Sequence, residues 1–337
     1  MRQLKTRIIA VIVTAAAAAA LLNCAAASDA VYGQSGNSES RGGESASRKQ
    51  DNRGSVRAVT IPITIRPRGS KEKKELRSLG DFTVREDGEL QRVLSVRGIG
   101  TSPLSVAILI QDGVVPSVSS NIGTIADFIR SLPRGSRVMV GYIRSGSLQV
   151  RQKFTTDLDR AADSLRAPIN FASASSFNPY VEIIDALHRF DSLPAGRRAM
   201  LVVTDGLDIS RGLESTLVPK SLDLERAIKE AQRRSVAVYA FYAPTALAAV
   251  SSNQLLVGNA QGSLERLSDE TGGRAFFQGT GAPVSFDPFL RDLATSLTRQ
   301  LALTYLSTHP NKGYHRIEIR SDQPDIEIDH PAGYTRK

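Results

Sequence analysis

The residues best placed to do chemistry are carboxylates that follow short apolar runs. Val106-Ala-Ile-Leu-Ile110 ends at Gln111-Asp112-Gly113, and Ala199-Met-Leu-Val-Val203 ends at Thr204-Asp205-Gly206. Five apolar residues that stop at a polar turn read as a strand buried on both faces. In open α/β sheets, ligands bind in the crevice outside strand C-termini. Thr204, Asp205 and Gly206 therefore stand where a ligand would be met. The plainer reading is that Asp205-Gly206 is a turn that stops the strand. Asp205 and Asp208 form a carboxylate pair, but no general-acid partner accompanies them.

Other reactive groups offer less. The four histidines, His188, His309, His315 and His330, lack ligand spacing, which argues against zinc. Neither a Gly-x-Ser-x-Gly elbow nor a cysteine nucleophile occurs in the body of the chain. Gly141-Tyr-Ile-Arg-Ser-Gly146 lacks the Lys-Ser/Thr of a phosphate-binding loop and reads as a hairpin turn. No Gly-x-Gly-x-x-Gly follows a strand, which removes the dinucleotide signature. A divalent-metal-dependent hydrolase using the crevice is the alternative to a binding protein. It would need a base and an activated water, and no such set is recognisable. Phe276-Phe277 reads as core, and Arg197-Arg198 as a solvated strand start.

The elements that must position these groups alternate. From about residue 104 to 300 strands and helices follow one another, which predicts a doubly wound, mainly parallel sheet with helices on both faces. Helices are expected near 122–132, 159–165, 181–190, 222–234, 264–271 and 289–301, with a hairpin strand at Leu148 to Phe154. Residues 244–262 read as a long Ala/Ser/Asn/Gly loop. Strands come before and after this body. Val59-Thr-Ile-Pro-Ile-Thr-Ile65 alternates apolar and polar, with Pro62 suggesting an edge. Further strands are expected near Phe82, Val93, Leu303, Tyr314 and Ile326. Neither flank could bury a core alone, so the flanks are expected to pair into one β module with the α/β body inserted.

The order of these elements resembles the von Willebrand factor type A domain over roughly residues 104–300. Ala199-Met-Leu-Val-Val-Thr-Asp-Gly206 is its most specific piece, similar to the fourth-strand motif of that family. Asp81–Gly88, Leu264–Phe277 and Gly333-Tyr334 resemble an exported bacterial subgroup abundant in acidobacteria. The resemblance implies a Rossmann-like fold, a protein ligand and a metal-ion-dependent adhesion site at the strand C-termini. The family's metal is held by Asp-x-Ser-x-Ser, a later Thr and an Asp after the fourth strand, oxygen donors suited to Mg²⁺ or Mn²⁺. The first strand ends in Asp112, but Asp205 alone matches the pattern cleanly. Val114 and Pro116 stand where the serines should be, and Ser117 and Ser119 could serve only if the loop rearranges. The loop before the 181–190 helix, Ser175-Ser-Phe-Asn-Pro-Tyr180, has no Thr. The expectation is a degenerate site with no resident cofactor. A bound metal, Mg²⁺ or Mn²⁺, would fall to Asp112 and Asp205.

The formal charge of +9 is uneven: residues 1–100 hold 17 Lys+Arg against 10 Asp+Glu, and the rest is nearly neutral. A basic arm without a groove-reading motif argues against nucleic acid as partner. Arg2, Lys5 and Arg7 precede an apolar run from Ile8 to Leu22, followed by Ala25-Ala26-Ala27. This is the pattern of a secretory signal peptide, and the run is short for a membrane span. Cleavage is expected near Ala27; lipoprotein processing at Cys24, the only cysteine, is the alternative. The expected organisation is a signal peptide at 1–27, a linker at 28–55, β strands at 56–100, the type A-like domain at 101–300 and β strands at 301–337. Residues 28–55, rich in Ser, Gly and Asn, have the composition of a disordered linker. The chain thus reads as an exported, non-enzymatic protein-binding module, resident in periplasm or envelope or secreted. Its protein ligand would dock on loops 112–121, 172–180, 205–220 and 244–262.

Overall fold

The computed structural model describes residues 56–68, 82–169, 171, 176–212, 216–218, 221–245, 254–281 and 284–336. The signal peptide and the linker expected from the sequence lie outside the described residues. Six strands build the first sheet: β4 (Leu104–Gln111), β5 (Arg137–Arg144), β6 (Ser147–Thr155), β7 (Arg197–Thr204), β8 (Ala237–Tyr242) and β9 (Ala275–Phe276). Their order is β6-β5-β4-β7-β8-β9, and only the β5–β6 hairpin is antiparallel. This is the doubly wound arrangement, whose direction of winding reverses between β4 and β7.

Strand side chains alternate between faces, and here they divide between two helical layers. Val106, Ile108 and Ile110 of β4 join Ala199, Leu201 and Val203 of β7 against one layer. That layer holds α2 (Ile122–Ser131), α3 (Leu158–Asp163) and α7 (Asp287–Thr298). Ala107 and Leu109 join Met200 and Val202 against α4 (Pro179–His188), α5 (Leu222–Arg234) and α6 (Gln254–Thr271). A strand covered on both sides has no polar face to show, which is why β4 and β7 read as unbroken apolar runs.

The remaining strands are β1 (Arg57–Pro67), β2 (Phe82–Glu86), β3 (Glu89–Arg97), β10 (Gln300–Ser307), β11 (Gly313–Ser321), β12 (Ile326–Asp329) and β13 (Gly333–Arg336). They form one antiparallel sheet in the order β12-β1-β10-β3-β2-β11-β13, so strands from both flanks pair with each other. Val59, Ile61, Ile63, Val84, Leu303, Tyr305, Ile317 and Ile319 make its core. Pro62 sits in an interior strand, yet β12 covers β1 only from Thr64 to Pro67. At Pro62 no described strand pairs on the side away from β10, so its missing N–H is tolerated.

The 244–262 loop is a correction: α6 begins at Gln254, ten residues ahead of the expected start. Gly258 and Gly262 weaken the local helix signal, but Val257, Ala260, Ser263 and Leu264 are buried and hold the helix by packing. No described helix is long and apolar enough to cross a membrane.

Candidate functional site

The switch point between β4 and β7 brings Gln111, Asp112, Thr204 and Asp205 together, and all four are buried. Asp112 is taken up entirely. Arg166, in the segment after α3, donates Nη1 to Oδ1 at 2.8 Å and Nη2 to Oδ2 at 2.7 Å. The Ile169 amide donates to Oδ1 at 2.8 Å. The guanidinium lies over the Tyr142 ring at 3.8 Å. The Tyr142 hydroxyl donates to the Arg166 carbonyl at 2.6 Å and accepts from the Arg166 amide at 2.7 Å. Such a bidentate fork is the strong form of ion pair, and the hydrogen bond to Asp112 holds the Arg166 guanidinium above its ordinary value. Arg166 was not visible as a site residue from sequence, because it stands 54 positions from its partner with no motif between them.

Asp205 is handled differently. Burial pushes its carboxyl up to about 6, against the hydrogen bond it accepts from the Leu207 amide. The Leu207 amide donates to Oδ1 at 3.2 Å, an Asx turn. The Thr204 hydroxyl donates to the Gln111 side-chain Oε1 and accepts from the Gly206 amide at 3.1 Å. Tyr180 donates to the Gly206 carbonyl at 2.7 Å. Asp208 accepts from the Ser210 and Ser221 hydroxyls at 2.6 and 3.0 Å, so it ties the loop to the start of α5.

The crevice is covered. Val114 bridges to Thr245, and the Val115 amide donates to the Pro244 carbonyl at 2.9 Å. Ser117 and Ser119 lie in a one-turn helix, α1 (Ser117–Ser120). No hydrogen bond among the described residues joins either hydroxyl to Asp112 or Asp205, and Ser119 Oγ is buried without a partner. Mg²⁺ and Mn²⁺ need several free oxygen donors and keep water ligands. Asp112 already faces a cation, Asp205 is desolvated toward its acid form, and the serines stand apart. The donor set does not fit either metal. Among the described residues no group of three His, Cys, Asp or Glu side chains is placed to hold one.

Several large apolar side chains are exposed at this end of the sheet. Phe171, Phe177, Val181, Leu217, Leu222 and Leu255 are all exposed, on loops and first helical turns at the C-terminal end of the parallel strands. Two hydrogen bonds tie the Phe177 segment to its neighbours: the Ile209 amide donates to the Phe177 carbonyl at 2.8 Å, and Asn178 donates to Asp223, beside Leu222, at 2.8 Å. Parts of the expected docking loops, 172–175, 213–215, 219–220 and 246–253, lie outside the described residues.

Two further expectations are corrected. Arg197 and Arg198 are buried, not solvated. Arg198 donates to the carbonyls of Leu193, Pro194 and Arg234, and Arg197 to those of Ser102, Leu297 and Gln300. Chain ends of helices leave such carbonyls unpaired, and a long cation under a strand can reach them. The histidines are not all scattered either: the rings of His309 and His315 are 5.7 Å apart beside buried Glu86, and His315 Nδ1 is 2.7 Å from Asp87. Folding joins what spacing along the chain keeps apart.

No family model matches the sequence, and no curated protein matches it. Solved structures do. The chain is similar to an aerotolerance-related membrane protein from Bacteroides fragilis, at 11% identity over 58% of this chain and 98% of that one, TM-score 0.39. It is similar to the conserved hypothetical protein BatB from Bacteroides thetaiotaomicron, at 13% identity over 58% and 97%, TM-score 0.41. It is also similar to the VWA domain of SpRpn10, at 16% identity over 47% and 82%, TM-score 0.31. The assignment of a mixed α/β body with a flanking antiparallel sheet rests on the strand order and register, not on these scores.

Proposed function

We propose that this chain is an exported, non-enzymatic protein-binding module of the von Willebrand factor type A kind, whose adhesion site works without a metal. The observation that carries this reading is the set of exposed apolar side chains at the strand C-termini, where the polar crevice itself is buried. Exposed apolar clusters of this kind mark protein interaction sites, whereas a catalytic crevice must admit substrate and water. Arg166 supplies Asp112 with the positive charge that a divalent cation supplies elsewhere in the family, so a degenerate adhesion site is the reading the ion pair supports. The leader-like residues 1–27 support export, and the flanking motifs support the exported bacterial subgroup.

The test is site-specific photo-cross-linking in extracts of the source cells. A photoreactive residue at Phe177 should capture a protein partner, and one at Arg134, exposed at the other end of the sheet, should not. Capture should be the same in chelator and in millimolar Mg²⁺. Equal capture from both positions, or capture only with Mg²⁺, would count against the proposal.

A further inference from the structure

A second polar cavity lies at the far end of the sheet, about 25 Å from the sealed crevice given the length of β7. It has a volume of about 210 Å³ and is lined by Arg57, Asp191, Arg198, Arg233, Arg234, Tyr334 and Thr335. The last turn of α5 supplies Arg233 and Arg234, the start of β7 supplies Arg198, a 3-10 turn after α4 supplies Asp191, and β1 and β13 supply Arg57, Tyr334 and Thr335. Both sheets therefore contribute to its wall.

Its charges do not balance. Arg234 pairs with Asp191 at 2.9 Å and with Glu230, and Arg233 pairs with the same Glu230 oxygen at 2.5 Å. Arg198 spends its guanidinium on backbone carbonyls, including that of Arg234 at 2.8 Å, which also caps the negative end of α5. Arg57 is exposed and has no ion pair among the described residues. Four guanidinium groups thus face two carboxylates, an excess of two positive charges.

The donors do not balance either. Arg233 Nε, Arg234 Nε, the Tyr334 hydroxyl and the Thr335 hydroxyl are all buried without a hydrogen-bond partner. An unpaired buried polar group costs on the order of 1–3 kcal/mol, and four of them belong to residues that line the cavity. A wall rich in donors and cations and poor in acceptors is complementary to an anion with several oxygens.

We propose that this cavity binds the phosphate group of a small soluble ligand. The two excess charges match a dianion. The volume admits a phosphate with a few attached atoms but is below the range of about 300–1,000 Å³ usual for larger ligands. None of the groups involved belongs to the crevice between β4 and β7.

The experiment is titration calorimetry on the full chain in phosphate-free buffer, with inorganic phosphate and with glycerol phosphate. The parent should bind one equivalent saturably, sulfate should compete, and chloride at the same ionic strength should not. Arg57→Gln changes an exposed side chain with no ion pair among the described residues and should weaken binding by about tenfold or more. Thr335→Val should weaken it too. Arg320→Gln, on a side chain 81% exposed, should bind as the parent does. Absence of saturable heat at millimolar phosphate overturns the proposal, as does equal affinity in the Arg57 and Thr335 variants. If the Arg320 variant weakens binding as much as the Arg57 variant does, the effect is net charge, and the cavity assignment falls.

Discussion

At the scale of single residues, the covered crevice holds two carboxylates with opposite fates. Asp112 keeps a cation at hydrogen-bond distance, while Asp205 is buried with neutral donors only, and burial raises it to about 6. The sign of the consequence follows from linkage. A carboxyl raised above its unfolded value contributes its full stability below that value, near pH 4, and loses it as pH rises through the folded value. Between about pH 4 and 6, ionisation of Asp205 should cost the fold up to roughly 3 kcal/mol. Asp205→Asn keeps an oxygen for the Leu207 amide and removes the charge. It should melt above the parent at pH 7.5, with the gap closing by about pH 4. Scanning calorimetry at several pH values reads this. A gap that does not change with pH would refute the desolvation argument, and stabilisation of the parent alone by Mg²⁺ would restore the carboxylate to a metal site.

At the scale of elements, legibility followed periodicity. The runs Val106–Ile110 and Ala199–Val203 declared buried strands because both faces are covered, and α5 declared itself through Leu224, Ala227, Ile228 and Ala231 on one face. The α6 start did not, because Gly258 and Gly262 erase the local signal and the helix is held from outside. Arg166 did not, because a pairing across 54 positions has no local trace. Asp205-Gly206 was legible as a turn, and the structure adds why the glycine is needed. Gly206 has φ +67°, and a Cβ there would stand 2.7 Å from Leu264 Cγ and 3.1 Å from the Ala260 carbonyl. The loop after β7 and α6 approach each other through that missing methyl. Gly206→Ala combines a left-handed backbone with overpacking, and should cost about 2–4 kcal/mol in urea unfolding. A loss under about 0.5 kcal/mol would mean that α6 can slide aside, and that its packing does not fix the loop.

At the scale of the whole molecule, the α/β body is inserted between strands of one antiparallel sheet, and the chain crosses between them twice. Both crossings, before β4 and at the start of β10, are held by one side chain. Arg197 is 1% exposed; its Nε donates to the Gln300 carbonyl at 2.7 Å and its Nη1 to the Ser102 carbonyl at 3.3 Å, with Nη2 on the Leu297 carbonyl at the end of α7. Burial lowers its guanidinium to about 10, a sign of how strongly the site desolvates it. No carboxylate takes part in these bonds, so the charge is held by carbonyl dipoles alone. Arg197→Met fills much of the same volume but leaves three carbonyls without that donor, a loss of about 2–4 kcal/mol after the relief of desolvation. The more informative expectation concerns cooperativity. With the clamp in place, one denaturant transition should report on both sheets. Without it, the coupling falls to the remaining links, such as Thr64 to Tyr239 and the Ala332 amide to the Glu270 carbonyl, and tyrosine fluorescence and far-ultraviolet circular dichroism should no longer coincide. Coincident transitions in the variant at the parent's midpoint would show that packing across the crossings suffices without the buried cation. A coincident transition at lower denaturant would show that Arg197 stabilises both parts equally rather than joining them.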